Sequence, residues 1–401
     1  LYFDNAGGAF RLKSVLDKIS ELDAIPDNIE RVHQTARTLQ AIQTAGEDDF
    51  RILLNAKDGS ILTGLTASSI MFDMVRAVAE NISGSNMVTT ILEHPSAFDA
   101  MTFYAQRTGK TLRVAQSNPE TGGIDVDEVV RLIDKDTSLL NIIYASNISG
   151  AKVNLQAVVQ RARAIKPDLY ILVDAVQHAP HGLIDLQHTP VDGINIAPYK
   201  LFGARGSGLA WLSDRAATLP HHKLNGKDNS FWELGSGVPW QYAAISEIVS
   251  YVCWVGATAT NSKDRRTLFA SGMQQIEEHE RALLDRLLNG DESIPGLRHI
   301  PNVMVHLDHP DLSRRDLIVM IEIEGTDVSE TVLEYERRGV LVYQRTATSI
   351  YSKRMLDSFN LDGGVRISPL HVHTAADIDR FLLITAEMAG AAASNRSTGT
   401  R

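Results

Sequence analysis

The chain has 401 residues, 44% of them hydrophobic and 22% charged, with 39 Lys and Arg against 49 Asp and Glu for a formal charge of −10. This apolar content suffices for roughly two to four structural units with large cores, and the acidic balance argues against broad nucleic-acid or anionic-membrane binding. The single cysteine, Cys253, excludes an internal disulfide and any multi-cysteine zinc or iron–sulfur framework.

No apolar run reaches the roughly 20 residues of a membrane-spanning helix, and the first residues lack a signal-peptide pattern. A soluble, cytoplasmic protein is expected, although the sequence starts at Leu1 and leaves open a segment ahead of it. From about 59 to 212, short β-rich apolar runs alternate with stretches of helical periodicity, as in βαβ units around a parallel sheet. Strands are predicted at 61–63, 87–92, 112–115, 139–144, 169–173, 193–196 and 208–212, with helices at 66–81, 95–108, 126–133 and 154–165. Residues 239–288 read as two long helices, the second carrying Met273, Ile276, Leu283, Leu284 and Leu287 at helical spacing as a bridge out of the sheet. Strands at 303–307 and 317–323, a helix at 328–338, strands at 339–343 and 365–369 and a helix at 375–390 then predict a smaller α+β unit. The small, polar residues 391–401 are expected to be a partly disordered tail.

Doubly wound sheets bind their ligands beside the carboxyl ends of the strands, so the residues following each run carry most of the functional information. One strand ends in Asp174-Ala-Val-Gln177, and the next runs out through Ala197-Pro-Tyr199 to Lys200 and the glycine-rich stretch 201–208. A carboxylate and an amine at neighbouring strand ends suit an ordinary ion pair. They equally suit a pyridoxal phosphate pocket, in which the lysine forms a Schiff base with the aldehyde and the acid keeps the pyridine nitrogen protonated.

A series of short motifs, in one order along the whole chain, favours the second reading. They are Phe3-Asp-Asn5-Ala-Gly-Gly8, Thr63-Gly-Leu65-Thr66-Ala-Ser68, Glu93-His94-Pro-Ser96, Ser146-Asn147-Ile-Ser-Gly150, Val173 to Gln177, Tyr199-Lys200, Glu233-Leu-Gly-Ser236-Gly237 and Val365-Arg366-Ile-Ser368. With these the sequence resembles the class V aminotransferases and cysteine desulfurases among fold type I pyridoxal phosphate enzymes. The resemblance implies an α/β fold with a mainly parallel seven-stranded sheet in a large domain and a small α+β C-terminal domain. It divides the chain into an arm with helices completing the small domain (1–45), the cofactor domain (46–260), a connecting helix with the small domain (261–390), and the tail.

The resemblance also implies roles. Lys200 is the catalytic residue, first bonded to pyridoxal 5′-phosphate and then moving protons at the substrate α-carbon. Asp174 pairs with the ring nitrogen, Gln177 donates to the phenolic oxygen, and His94 stacks on the ring. Leu65 and Thr66 open a helix whose free N–H groups cradle the phosphate, although the same residues suit a plain N-cap. Asn147 touches ring or substrate, Tyr199 offers a hydroxyl, and Ser236 reaches the phosphate site of the other subunit in a homodimer with shared active sites. Arg366 receives the carboxylate of an amino-acid substrate as a planar fork, with Asn5 beside it. No metal is expected, since His178 with His181 and His371 with His373 lack a clear third ligand.

Two departures from the desulfurase pattern narrow the reaction. The loop ahead of Arg366, Val342 to Ser352, has no cysteine, and Cys253 lies in an apolar helical stretch far along the chain. Around Lys200, Ala197-Pro-Tyr199 replaces the usual Ser-x-His. Both features resemble a cysteine-free branch that includes isopenicillin N epimerase-like proteins and carbon–sulfur lyases. The expected activity is β-elimination from a cysteine-derived amino acid, the alternatives being transamination, decarboxylating deamination, epimerisation or carbon–carbon bond formation. A non-catalytic scaffold is disfavoured because Lys200 and Asp174 are both retained.

Overall fold

The computed structural model describes residues 1–26 and 29–398, with side chains through Ser394. In chain order its elements are α1 (Lys13–Asp23), α2 (Gln34–Leu54), β1 (Ser60–Gly64), α3 (Ala67–Asn81), β2 (Asn86–Thr90), α4 (Pro95–Thr108), β3 (Thr111–Ala115), α5 (Val126–Val130) and β4 (Thr137–Ile143). They continue through α6 (Leu155–Ile165), β5 (Tyr170–Asp174), β6 (Gly193–Ile196), β7 (Gly208–Leu212), α7 (Asp214–Ala217), α8 (Pro239–Gly256), α9 (Arg265–Asn289) and β8 (Val303–His306). The last are β9 (Val319–Ile323), α10 (Val328–Arg337), β10 (Tyr343–Thr346), α11 (Lys353–Ser358), β11 (Gly363–Ile367) and α12 (Ala375–Thr398).

Strands β1 to β7 form a seven-stranded sheet in the order β1-β7-β6-β5-β4-β2-β3. All its pairings are parallel except those of β7, which runs antiparallel to both β1 and β6. Every residue of β4 is buried, as the near-continuous apolar run of a central strand covered on both faces requires. The fold is therefore the α/β arrangement expected, with a mixed, mostly parallel sheet. A second sheet, β10-β11-β9-β8, is antiparallel throughout.

Helix α9 bridges the two as its spacing predicts. Phe269, Met273 and Ile276 pack into the core around the large sheet, and Leu283, Leu284, Leu287 and Leu288 into the core of the small one. Helix α8 meets α9 so closely that a Cβ on Gly256 would stand 1.9 Å from the Leu268 carbonyl oxygen, and one on Gly272 2.0 Å from that of Val252.

Val15 of α1 packs into the large-sheet core and Leu22 and Leu39 pack with Ala243 of α8, while Phe3 is buried in the small-sheet core and Tyr2 and Asp4 pair with Leu341 and Ser368. Three expectations are corrected. The strand expected at 339–343 begins at Tyr343 instead, because Leu341 gives its carbonyl to the N–H of Phe3. Helix α5 stops at Val130, and Leu132 and Ile133 follow with tighter three-residue hydrogen bonds. The supposed tail is helical through Thr398, since the alanine-rich run after Thr385 has high helix propensity; residues 399–401 lie outside the described residues.

Candidate active site

The carboxyl ends of β1, β2, β4, β5 and β6 converge on one edge of the large sheet, and the segments leaving them line a cavity of about 340 Å³. Asp174 is the last residue of β5, 5% exposed, with a carboxylate oxygen accepting the N–H of Val176 at 3.0 Å. Strand β6 leads through Ala197 into a single 3-10 turn, Pro198–Lys200, where proline at the first position fixes the entry angle. The turn points Lys200 into the cavity, 7% exposed, with Nζ donating to Gln177 Oε1 at 3.3 Å.

Burial disfavours the charge on both partners. It lowers the Lys200 ammonium to about 8, helped by Arg366 and Arg345 and opposed by Asp174. It raises the Asp174 carboxyl against the pull of Val176 and Lys200. The site thus holds an amine whose neutral form is accessible near neutral pH, beside a buried carboxylate.

His94 ends the turn after β2, caps α4 through Nδ1, and contacts Ser96 Oγ at 2.7 Å. Burial, with Lys200 and Arg345 adding to it, depresses its imidazole to about 4, so a neutral ring faces the cavity. Thr66 caps α3, accepting the N–H of Ser69 at 3.0 Å, so its hydroxyl serves the helix as a plain N-cap would. Ala67 and Ser68, in the first turn of α3, line the cavity beside Leu65 and Thr66. Asn147 and Tyr199 line it as well, and the Arg205 guanidinium lies 4.3 Å over the Tyr199 ring.

The remaining expected residues stand elsewhere. Arg366 on β11 is 2% exposed, donating Nη2 to Asp4 Oδ1 at 2.6 Å and Nη1 to the Asn147 carbonyl at 3.0 Å. Asn5 turns its amide to the carbonyls of Tyr2 and Ser368. Ser236 is exposed in the segment before α8 and is not among the residues lining this cavity.

Sequence reasoning missed several neighbours. Arg205 and Ser207 line the cavity although they precede a strand, because β7 runs antiparallel and begins at the edge where its neighbours end. Arg345 is 5% exposed, and burial, reinforced by Arg366, lowers its guanidinium to about 9. Glu93 is fully buried between β2 and β4, accepting from Thr90 Oγ1 at 2.8 Å and the N–H of Ile143 at 2.7 Å. Burial, then the charge of Asp174, pushes its carboxyl up to about 8. Its only sequence signal was its place beside His94.

Residues 1–381 match the Aminotransferase class-V family. The chain belongs to that family. It is 26% identical over 316 residues to a cysteine desulfurase of Dickeya dadantii, covering 74% of this chain and 73% of that one. To a probable cysteine desulfurase of Streptomyces coelicolor it is 26% identical over 318 residues, 75% of this chain and 73% of the relative. Among solved structures it superposes on the apo cysteine desulfurase from Thermococcus onnurineus NA1 with a TM-score of 0.82 at 17% identity, covering 98% and 95% of the two chains. The chain is a pyridoxal phosphate-dependent class V enzyme, desulfurase-like in fold and sequence.

The family implies pyridoxal phosphate, and the residues present fit it. Gln177 Nε2 is a buried donor with no hydrogen-bond partner among the described residues, and Asn147 Oδ1 is a buried acceptor in the same condition. Such groups are costly to bury unless a ligand satisfies them. Asp174, Gln177, Lys200 and His94 suit the ring; the first turn of α3 with Arg205 and Ser207 suits the phosphate.

The paired histidines are bound to the protein instead. His178 meets Asp316 at 3.0 Å, His181 meets Glu280 at 2.6 Å, His371 bonds the Tyr251 hydroxyl at 2.7 Å, and His373 contacts the backbone of Leu370. Among the described residues no group of three or more His, Cys, Asp or Glu is placed to hold a metal, and no helix is long and apolar enough to cross a membrane.

Proposed function

We propose that this enzyme is a carbon–sulfur lyase that eliminates the β-substituent of a cysteine-derived amino acid. The observation that carries the reading is the thiol-free loop between β10 and α11. Its Tyr351 ring lies 6.5 Å from the His94 ring at the cavity, yet Ala347 to Ser352 contain no cysteine. A desulfurase needs a thiolate there to attack the substrate sulfur. Cys253 does not substitute, since it sits in α8 with Sγ directed to the Arg265 carbonyl, and burial raises its thiol.

Pyridoxal phosphate, when bound, supplies an electron-accepting ring that weakens the bonds at the α-carbon of an attached amino acid. The chain supplies the rest. Lys200, its ammonium weakened by burial, serves first as the amine that holds the cofactor and then as the base that takes the α-proton. Asp174 would hold the ring nitrogen, and Gln177 would offer its unpartnered Nε2 to the phenolic oxygen. His94, uncharged at neutral pH, would pack against the ring and exclude water. Arg366 would take the substrate carboxylate, with Asn5 supporting the arm beside it, and so orient the substrate at its α-carbon. With Cα deprotonated, a sulfur leaving group departs from Cβ, giving pyruvate and ammonia after hydrolysis. Exposed Ser236 fits the companion reading of a homodimer, in which this segment reaches the partner's phosphate.

The test is a product assay in which cofactor-loaded protein is incubated with S-substituted cysteines and their sulfoxides, and pyruvate and ammonia are scored by mass spectrometry. Pyruvate that disappears in Lys200→Ala establishes the elimination. Cofactor bound without pyruvate from any of these compounds rejects it and turns attention to transamination or epimerisation of unsubstituted amino acids.

A further inference from the structure

The arginine expected to receive a carboxylate already holds one. Asp4 Oδ1 sits 2.6 Å from Arg366 Nη2, with the Arg366 side chain 3% exposed and that of Asp4 22%. A guanidinium grips a carboxylate through two two-pronged edges, Nη1 with Nη2 or Nε with Nη2. Both contain Nη2. Nη1 already donates to the Asn147 carbonyl, whereas Nε, on the second edge, is buried without a partner among the described residues. An incoming carboxylate that uses the Nε edge must therefore share Nη2 with Asp4 or displace it.

The backbone around Asp4 is fixed. Phe3 and Asn5 exchange hydrogen bonds with Ser368, and Phe3 donates to Leu341, while Ala9 and Leu12 donate to the carbonyls of Tyr199 and Phe202, on either side of Lys200 in the chain. The first dozen residues thus tie the sheet carrying Arg366 to the turn carrying Lys200. Only the Asp4 side chain is left to move, and its Oδ2 is parked where a Cβ on Gly7 would stand 2.7 Å away. A second anion at Nη2 would meet Asp4 at hydrogen-bond range, where like charges in a poorly solvated site repel strongly.

We propose that Asp4 is an internal competitor at Nη2 of Arg366, and so determines how tightly this enzyme holds the carboxylate of its amino-acid substrate. This rests on the reading of Arg366 as the carboxylate receptor. Competition and positioning make opposite predictions. If Asp4 competes, removing its charge tightens carboxylate binding; if it merely orients the guanidinium, removal loosens it.

The experiment titrates cofactor-loaded protein with L-alanine and with ethylamine, its carboxylate-free counterpart, reading half-saturation from the heat of binding and the cofactor absorbance. Asp4→Asn is expected to lower half-saturating L-alanine about tenfold, the scale of one charge-assisted hydrogen bond, with ethylamine unchanged within about twofold. Weaker L-alanine binding, or equal shifts for both probes, overturns the proposal. Circular dichroism verifies the fold, and Asp4→Ser provides the same comparison if the asparagine variant does not fold. Arg366→Gln separates the two levels. If it leaves L-alanine binding intact, the carboxylate assignment fails and the Asp4 proposal with it; if it weakens L-alanine alone while Asp4→Asn also weakens it, the assignment stands and only the competition is rejected.

Discussion

Glu280 on α9 lies 2.6 Å from His181 Nδ1 through one carboxylate oxygen and accepts the backbone N–H of His371 at 3.0 Å through the other. His181 belongs to the turn that follows Asp174 and Gln177, and His371 to the segment that follows Arg366. One buried carboxylate on the bridging helix therefore ties the half of the site that suits the cofactor ring to the half that suits the substrate carboxylate.

Glu280→Ala should cost about 3–5 kcal/mol of unfolding free energy, because it leaves a buried imidazole and a backbone N–H without their acceptor. The pH dependence has a definite sign. Burial alone would lower His181, but the charge and hydrogen bond of Glu280 reverse this and raise it, so its contribution is full below the ordinary value near 6.5 and is lost as pH climbs through the raised one. Burial alone would raise Glu280, but His181 and His371 bring it down to about 2, so its contribution is full above about 4.5 and is lost as pH falls toward 2. The stability difference between wild type and Glu280→Ala, measured by urea unfolding, should peak between about pH 4.5 and 6.5. A difference flat with pH would show that the pair does not ionise.

Lys200 is brought down to about 8 chiefly by burial. The rate at which cofactor-free protein captures pyridoxal phosphate should therefore climb with pH up to about 8 and level off above it, since only the unprotonated amine attacks. Stopped-flow absorbance gives this profile directly. A rate still rising steeply near the ordinary lysine value of about 10.4 would contradict the buried setting of the amine.

Under the proposed role of Asp174 at the ring nitrogen, Asp174→Asn should weaken cofactor binding about 10- to 100-fold, the worth of one buried charge-assisted hydrogen bond, with little change in volume. Equilibrium dialysis against the cofactor measures this. Unaltered affinity, with the protein folded, would move the ring nitrogen away from Asp174.

Gly272→Ala tests the bridge. The added methyl would stand 2.0 Å from the Val252 carbonyl oxygen and force α8 and α9 apart. A loss of about 1–3 kcal/mol is expected, typical of overpacking at a close contact. A melting temperature equal to wild type would mean that the helices separate at no cost.

The sequence by itself determined the alternation of strands and helices, the bridging helix, and the placement of Asp174 and Lys200 at neighbouring strand ends. These are local properties, written in apolar periodicity, caps and turns, and the alternation of βα units then dictates which strand ends face the ligand. Only the tertiary structure decided that Arg205 and Ser207 join the site, since that follows from the direction of β7 relative to its neighbours. It also decided that Glu93 turns inward beneath the site, that Glu280 joins two distant segments, and that Asp4 occupies Arg366 from the far end of the chain. Each of these relations pairs groups far apart in sequence. Their meeting depends on sheet order and packing, which composition and spacing leave unspecified, and burial away from water then sets their charge states.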